Sequence, residues 1–373
     1  MKSKSLITAF LLFYSIHFFG QIYTDKIVGE KNQQLKDSLK EVDYPYALPI
    51  WGEKVAKKGY NLPYSAGLSI NYFWQDSQIN ITDLQVGFNN GPLYNLDEIV
   101  RFDKSSVEAG ALTIRPDIWL LPFLNVYGIF GKSNPTTKIN AGIWIPDADN
   151  NWSQVASFNT KANFSATTFG LGLTPTIGIG GGWLALDMNM SWSDVSALDK
   201  PAFSYIFGPR LGKTFKLRKP ERNIAVWVGG FRVHIEGNTK GNISLSDVLN
   251  LDNAQQKVDD GLTKVSENQT KVDTWWDGLT PSQQKSPANV AKHNTANRAL
   301  ESAGTFLTTL DGALSTAESS TVQYSLHKAP KDMWNFIVGS QFQYNKHIMF
   351  RVEAGFLGTR TQYLGGLQYR FGL

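Results

Sequence analysis

Every second residue from Trp334 is greasy through Phe336, Val338, Phe342 and Tyr344, with Ser340 the one polar member, while Asn335, Ile337, Gly339, Gln341 and Gln343, mostly small or polar, fill the places between. The pattern restarts after Asn345-Lys346 as Ile348, Phe350, Val352, Ala354 and Phe356 against Met349, Arg351, Glu353 and Gly355, and again as Gly365, Leu367, Tyr369, Phe371 and Leu373. A period of two is the signature of strands with one greasy and one polar face. The same habit appears upstream. Ala66, Leu68, Ile70 and Tyr72 share a face; Leu124, Val126, Gly128 and Phe130 follow the Pro122 turn; Phe169, Leu171, Leu173, Ile177 and Ile179 precede Gly180-Gly181-Gly182; and Leu184, Leu186, Met188, Met190 and Trp192 come after it. Phe203, Tyr205, Phe207, Leu211 and Phe215 form the next apolar face, followed by Trp227, Gly229, Phe231, Val233 and Ile235. Ile79 to Phe88 keeps the alternation less well because its phase slips at Asp83.

Between residues 244 and 320 the period changes. Val258, Leu262, Val265, Gln269, Val272, Trp276 and Leu279 step by four and three, and Leu300, Ala303, Leu307, Leu310, Leu314 and Ala317 do the same. Those steps predict two helices. Thr280-Pro281-Ser282-Gln283 and Ser286-Pro287 supply start signals between them. The expectation is an antiparallel helical hairpin inserted into a strand-rich chain.

The N-terminus adds an address. Lys2 and Lys4 precede an apolar run from Leu6 to Phe19 and then Gly20-Gln21, the layout of a secretory signal peptide over residues 1–20. Residues 21–61 do not alternate and read as a leader, with the polar stretch Glu30 to Glu41 a short surface helix. No run reaches the roughly 18 apolar residues of a spanning helix, so any membrane crossing must be made by strands. With 33 Gly and 13% aromatic residues, the composition suits strands that face lipid on one side and a polar lumen on the other. A net charge of +4 with dispersed basic residues gives no support to nucleic-acid binding, and the absence of cysteine removes disulfide and thiolate chemistry.

The chain's final residues, apolar at Phe371 and Leu373 and alternating back through Tyr369 and Leu367, resemble the terminal strand of bacterial outer-membrane β-barrels. The resemblance is to that porin-like superfamily as a whole, over Ala66 to Glu236 and Trp334 to Leu373. It implies an all-β transmembrane fold: an antiparallel closed β-barrel of about 12 strands (alternatively 14 or 10) over residues 62–373, interrupted by the helical hairpin at 244–320. It also implies the outer membrane of a Gram-negative bacterium as location. Outer-membrane lipid and the barrel-assembly machinery are then its partners, with an envelope protein as a further candidate. Parity places the hairpin at the end of the barrel opposite Leu373, provided that Thr321 to Lys328 is not itself a spanning strand.

The alternation assigns Arg115, Asp117, Asp187, Asn189, Arg210, Arg232, His234, Glu236, Gln341, Gln343, Arg351 and Glu353 to the lumen. This list supports a narrow polar pore or, equally simply, a rigid interior of ion pairs. Trp275 beside Trp276 is a candidate interaction site, because adjacent helix positions cannot both face one seam. Gly208-Pro209-Arg210-Leu211-Gly212-Lys213-Thr214 looks like a phosphate-binding loop but is one residue short and lacks a following helix. A lone lumen histidine, His234, is better read as part of a polar network than as a catalytic base. No cofactor or metal is expected, and no enzyme. The function expected first is a porin-like channel for small solutes. The alternative is a non-enzymatic barrel whose insertion docks another envelope protein or plugs the lumen, with a lipid hydrolase behind both.

Overall fold

The computed structural model describes residues 27–41, 43–196, 198–235 and 238–373. The expected signal peptide lies outside them. Fourteen strands form among the described residues: β1 (Ala66–Phe88), β2 (Tyr94–Asn95), β3 (Val100–Leu121), β4 (Leu124–Pro146), β5 (Trp152–Asn163), β6 (Ala166–Ile179) and β7 (Gly182–Val195) in the first half. β8 (Ala202–Lys216), β9 (Asn223–Ile235), β10 (Asn238–Ser244), β11 (Thr321–Pro330), β12 (Trp334–Gln343), β13 (Ile348–Phe356) and β14 (Arg360–Phe371) complete the set. Antiparallel pairing runs β1-β14-β13-β12-β9-β8-β7-β6-β4-β3 and returns from β3 to β1, which closes the sheet. The barrel therefore has ten strands, the lowest of the expected counts, rather than about 12. The surplus alternating segments lie outside it: β5 pairs with the distal half of β4, while β11 pairs with the distal half of β1 and with β10.

The sequence divides the long strands into shorter ones because their partners change halfway. β4 bonds β6 over Leu124 to Ser133 and β5 from Thr136 onward. β1 bonds β14 from Ala66 to Ser77 and β11 from Ile79 to Phe88. Asp83, where the alternation slips, has φ of 55° and sits at an irregularity of the β1–β11 register between Thr82 and Gln85. That extra residue returns the apolar set to its former side, so buried Ile79, Ile81 and Phe88 all face inward.

The barrel end that holds Leu373, the tight-turn end, carries short turns such as Pro122-Phe123 and Gly180-Gly181, the latter with φ angles of 54° and 78° that suit glycine. The other end carries the insertion and the projecting halves of β1, β3 and β4, together with the short Leu357-Gly358-Thr359 turn between β13 and β14. Because β11 bonds only the projecting part of β1, Thr321 to Lys328 does not span the barrel, and the hairpin lies at the end opposite Leu373.

The insertion contains α3 (Leu245–Val248), α4 (Ala254–Asp277), α5 (Pro281–Gln284) and α6 (Pro287–Leu314). Val258, Val265 and Val272 from α4 and Leu300, Ala303, Leu307 and Leu310 from α6 are buried at helical spacing. They pack with Phe88, Ile99, Ile143, Ile145 and Val155 into one apolar core against the inner side of the projecting strands. Gln269, the polar break in the first stripe, donates to Asn297 Oδ1 across the hairpin at 2.8 Å.

The leader crosses the tight-turn end. Its helices are α1 (Glu30–Glu41) and α2 (Gly52–Ala56). Asn32 Nδ2 donates to the carbonyl of Leu217 beside the β8–β9 turn at 3.4 Å, Leu48 N to Leu373 O at 3.2 Å, and Ile50 N to Leu120 O at 3.0 Å. These anchors lie on opposite sides of the ring.

Candidate functional site: the barrel interior

Outward positions are apolar and open. Leu68, Ile70, Leu112, Ile114, Leu171, Leu211, Val228, Val352 and Leu367 are all exposed large hydrophobics on the wall. Toward the far rim aromatic rings meet edge or face in succession: Trp74 with Tyr363, Phe130 with Phe169, Phe169 with Trp192, Trp192 with Phe203, and Phe207 with Trp334. An apolar band ending in an aromatic girdle is the exterior of a barrel immersed in lipid.

Inside, the alternation delivers charge. Arg210 of β8 is 7% exposed and lies between two carboxylates: Nη1 is 3.1 Å from Asp187 Oδ2 on β7, and Nε is 3.0 Å from Glu353 Oε2 on β13. Nη2 also donates to Glu353 Oε1, at 3.3 Å, so Glu353 is held in a two-point fork. Trp227 Nε1 donates to Glu353 Oε2 at 2.9 Å, and Arg351 Nη2 does so at 3.2 Å. Tyr127 OH donates to Asp187 Oδ1 at 2.5 Å, Thr174 Oγ1 joins at 2.9 Å, and Asn189 Nδ2 donates to the Tyr127 hydroxyl at 3.2 Å. The Arg115 guanidinium sits 3.7 Å from the centre of the Tyr127 ring. Three guanidiniums thus surround two carboxylates. Nearer the tight-turn end, Arg370 Nη1 pairs with Asp117 Oδ1 at 2.9 Å, while Gln368 and Asn125 donate to the same carboxylate.

Arg115, Asp117, Asp187, Asn189, Arg210, Gln341, Gln343, Arg351 and Glu353 all lie on the inner face. Gln341 Nε2 contacts Met349 Sδ, and Gln343 donates to Glu221 O at the tight-turn end. Arg232 and His234 do not. They pair across β8 with Phe207 and Tyr205, residues of the outer face, and the His234 ring stacks on Tyr205 at 4.8 Å. β9 is apolar on both faces, and its larger residues Trp227 and Phe231 are the ones turned inward, so reading size as lipid exposure inverts its phase. Glu236 lies outside the described residues. The Gly208 to Thr214 stretch is continuous strand with Arg210 pointing into the lumen, not a phosphate loop.

Sequence reasoning missed the aromatic filling of the lumen. Trp183 and Trp227 lie 6.2 Å apart and are buried with Ala185 and Ala225. Gly339 accommodates Trp227 and Gly172 accommodates Tyr127; a Cβ at either position would overlap the ring. Arg360, Gln362, Gln368 and Arg370 were omitted too, although the alternation of Tyr363, Leu367, Tyr369 and Phe371 puts them opposite the apolar set. Trp275 and Trp276 sit at the end of α4: Trp276 stacks on His293 at 4.0 Å as part of the hairpin, leaving Trp275 on its flank. Among the described residues no cluster of three His, Asp or Glu side chains is arranged to hold a metal ion.

No family model matches the chain, and no curated protein matches it. Solved structures similar to it include the β domain of the Bordetella autotransporter BrkA (8% identity, 82% of this chain and 100% of that chain, TM-score 0.29). An outer-membrane channel from Pseudomonas putida F1 is similar at 10% identity, over 83% of this chain and 97% of that one, with a TM-score of 0.27. The translocator domain of the autotransporter NalP from Neisseria meningitidis is similar at 7% identity, over 91% and 93%, with a TM-score of 0.31. At such TM-scores these likenesses add nothing to the strand pairing, which by itself defines the barrel.

Proposed function

We propose that this protein is an integral outer-membrane barrel that passes small polar solutes through a narrow lumen, and that Arg210 holds the lumen shut at mid-height. The tight-turn end faces the periplasm in this reading and the hairpin faces outward, with outer-membrane lipid around the wall and the barrel-assembly machinery as the partner during insertion. The observation that carries it is the buried Arg210 between Asp187 and Glu353. Glu353 also has a second cation, Arg351, at 3.2 Å, so Arg210 can leave it without stranding the carboxylate. That is the arrangement a gate requires.

Single-channel recording in planar bilayers tests this. Wild-type protein is expected to show brief, small openings, and Arg210→Ala or deletion of residues 257–319 to lengthen or enlarge them. Silence from all three proteins retires the channel.

The alternative, a docking barrel, draws on the hairpin's own apolar core and on Trp275 at its flank. It calls for an envelope protein that co-purifies with wild type and is lost on Trp275→Ala. Both readings are non-enzymatic. In support, His234 is stacked on the outer-face ring of Tyr205, away from the interior carboxylates.

A further inference from the structure

On the outer wall, immediately beyond the girdle residues Tyr72 and Trp74, lies a shallow depression of about 550 Å³ whose lining includes Lys132, Lys138, Lys161, Glu108 and Leu112. Its floor is the outward face of β1, β3, β4 and β5. Lys138 stands directly opposite Lys161 in the β4–β5 register, and Lys132 lies six positions earlier on β4, opposite Leu112. All three lysines are exposed. Glu108 Oε2 is 3.0 Å from Lys138 Nζ; among the described residues, Lys132 and Lys161 have no ion pair.

Like charges placed directly across a strand pair are unfavourable on their own. Here they also sit at the level where an apolar wall gives way to polar surroundings, next to Trp74. Glu108 offsets Lys138, and an anion supplied by the surroundings relieves the positive charge that remains on Lys161 and Lys132. Lys132 nearer the girdle and the Lys138–Lys161 pair farther out form two cationic centres, and exposed Leu112 and Ile114 continue below them as a surface for acyl chains.

We infer that this face binds the headgroup of a phosphorylated membrane lipid, one phosphate at Lys132 and a second between Lys138 and Lys161. The inference rests on the outer-membrane reading and deepens its lipid contact from a general solvent to a specific ligand. Glu108 orients Lys138 through their ion pair.

The test uses full-length protein refolded in a neutral detergent. It measures binding of a glucosamine-disaccharide glycolipid carrying two phosphates, the same glycolipid with its phosphates removed, and inorganic phosphate. Wild type is expected to prefer the phosphorylated lipid. The Lys132→Gln/Lys138→Gln/Lys161→Gln protein is expected to lose that preference, on the order of 100-fold at roughly 1 kcal/mol per lysine, whereas Lys213→Gln, elsewhere on the wall, keeps it. Equal binding of both lipids by wild type overturns the inference, as does an unchanged triple variant. If inorganic phosphate binds as tightly as the lipid, the site reads a free anion and the lipid assignment is overturned. Heat-dependent gel migration, run on every variant, reports barrel folding separately, so failure of the outer-membrane reading shows as loss of that shift and failure of this inference does not.

Discussion

The chain has two interiors built on opposite rules. On the inner face of β4, Asn125 and Tyr127 meet the charged network of the lumen, whereas Ile143 and Ile145, farther along the same face of the same strand, sit in an apolar core against the helices. The backbone is continuous; what changes is what lies on the other side of it. Within the girdle the outer face meets lipid, so burying apolar groups inside gains little and the polar residues must turn inward. Beyond the girdle water surrounds the wall, and ordinary hydrophobic burial holds the hairpin down.

The two interiors are expected to fail differently. The largest effect is expected from Arg210→Ala, which strands Asp187 and leaves Glu353 to Arg351 alone, and costs about 3–5 kcal/mol. It should lower the temperature at which the barrel loses its compact gel migration while leaving the hairpin as resistant to protease as before. Leu307→Ala is expected to cost about 2–5 kcal/mol, read as accelerated hydrogen exchange in residues 254–314 with the barrel's migration unchanged. A barrel that melts with it would show that the two interiors are one cooperative unit.

Gly172→Ala sets a Cβ into the Tyr127 ring, and overpacking of this kind costs about 1–3 kcal/mol. Its effect belongs to the barrel's melting and, through Asp187, to channel openings. The smallest change comes at the seam of the hairpin and the wall, where Arg298 grips Glu98 at 2.7 Å. The guanidinium holds the Glu98 carboxyl below its usual range. Its stabilising contribution is therefore present above the unfolded carboxylate value and is lost as pH falls through the lower folded one. Because Arg298 is 63% exposed, solvent screening keeps the contribution small. Glu98→Gln should remove the small acid-induced rise in protease sensitivity of the hairpin.

How far the sequence discloses this plan depends on whether a residue's type reveals its surroundings. Lipid-facing strands such as β13 and β14 are legible because Phe350, Val352, Leu367 and Tyr369 alternate with Arg351, Glu353, Gln368 and Arg370. The helices are legible because their stripes keep period and their caps are marked. β9 is not, since a small barrel fills part of its lumen with Trp227 and Phe231, and aromatic residues carry no label saying lipid or lumen. The strand count fails for a related reason: β5 and β11 alternate like barrel strands, but they extend the wall above the girdle, and only their pairing with the distal halves of β4 and β1 separates them. Arg210 was legible as an inward residue, but its two partners come from β7 and β13, which the sequence does not bring together.

β9 and β12 are neighbours in the ring, yet residues 236–333 separate them in the chain. Joining two strands across such a span instead of a turn of about six residues means about four doublings of loop length, an entropic cost of about 2.4 kcal/mol at roughly 0.6 kcal/mol per doubling. The helical hairpin and the β10–β11 pair remove most of that cost if they form first, because Asn238 is then already aligned with His327 and the ends of β9 and β12 are drawn within a few residues of each other. The insertion is thus placed to act on the kinetics of ring closure, speeding the β9–β12 junction as a folded spacer whatever it later binds.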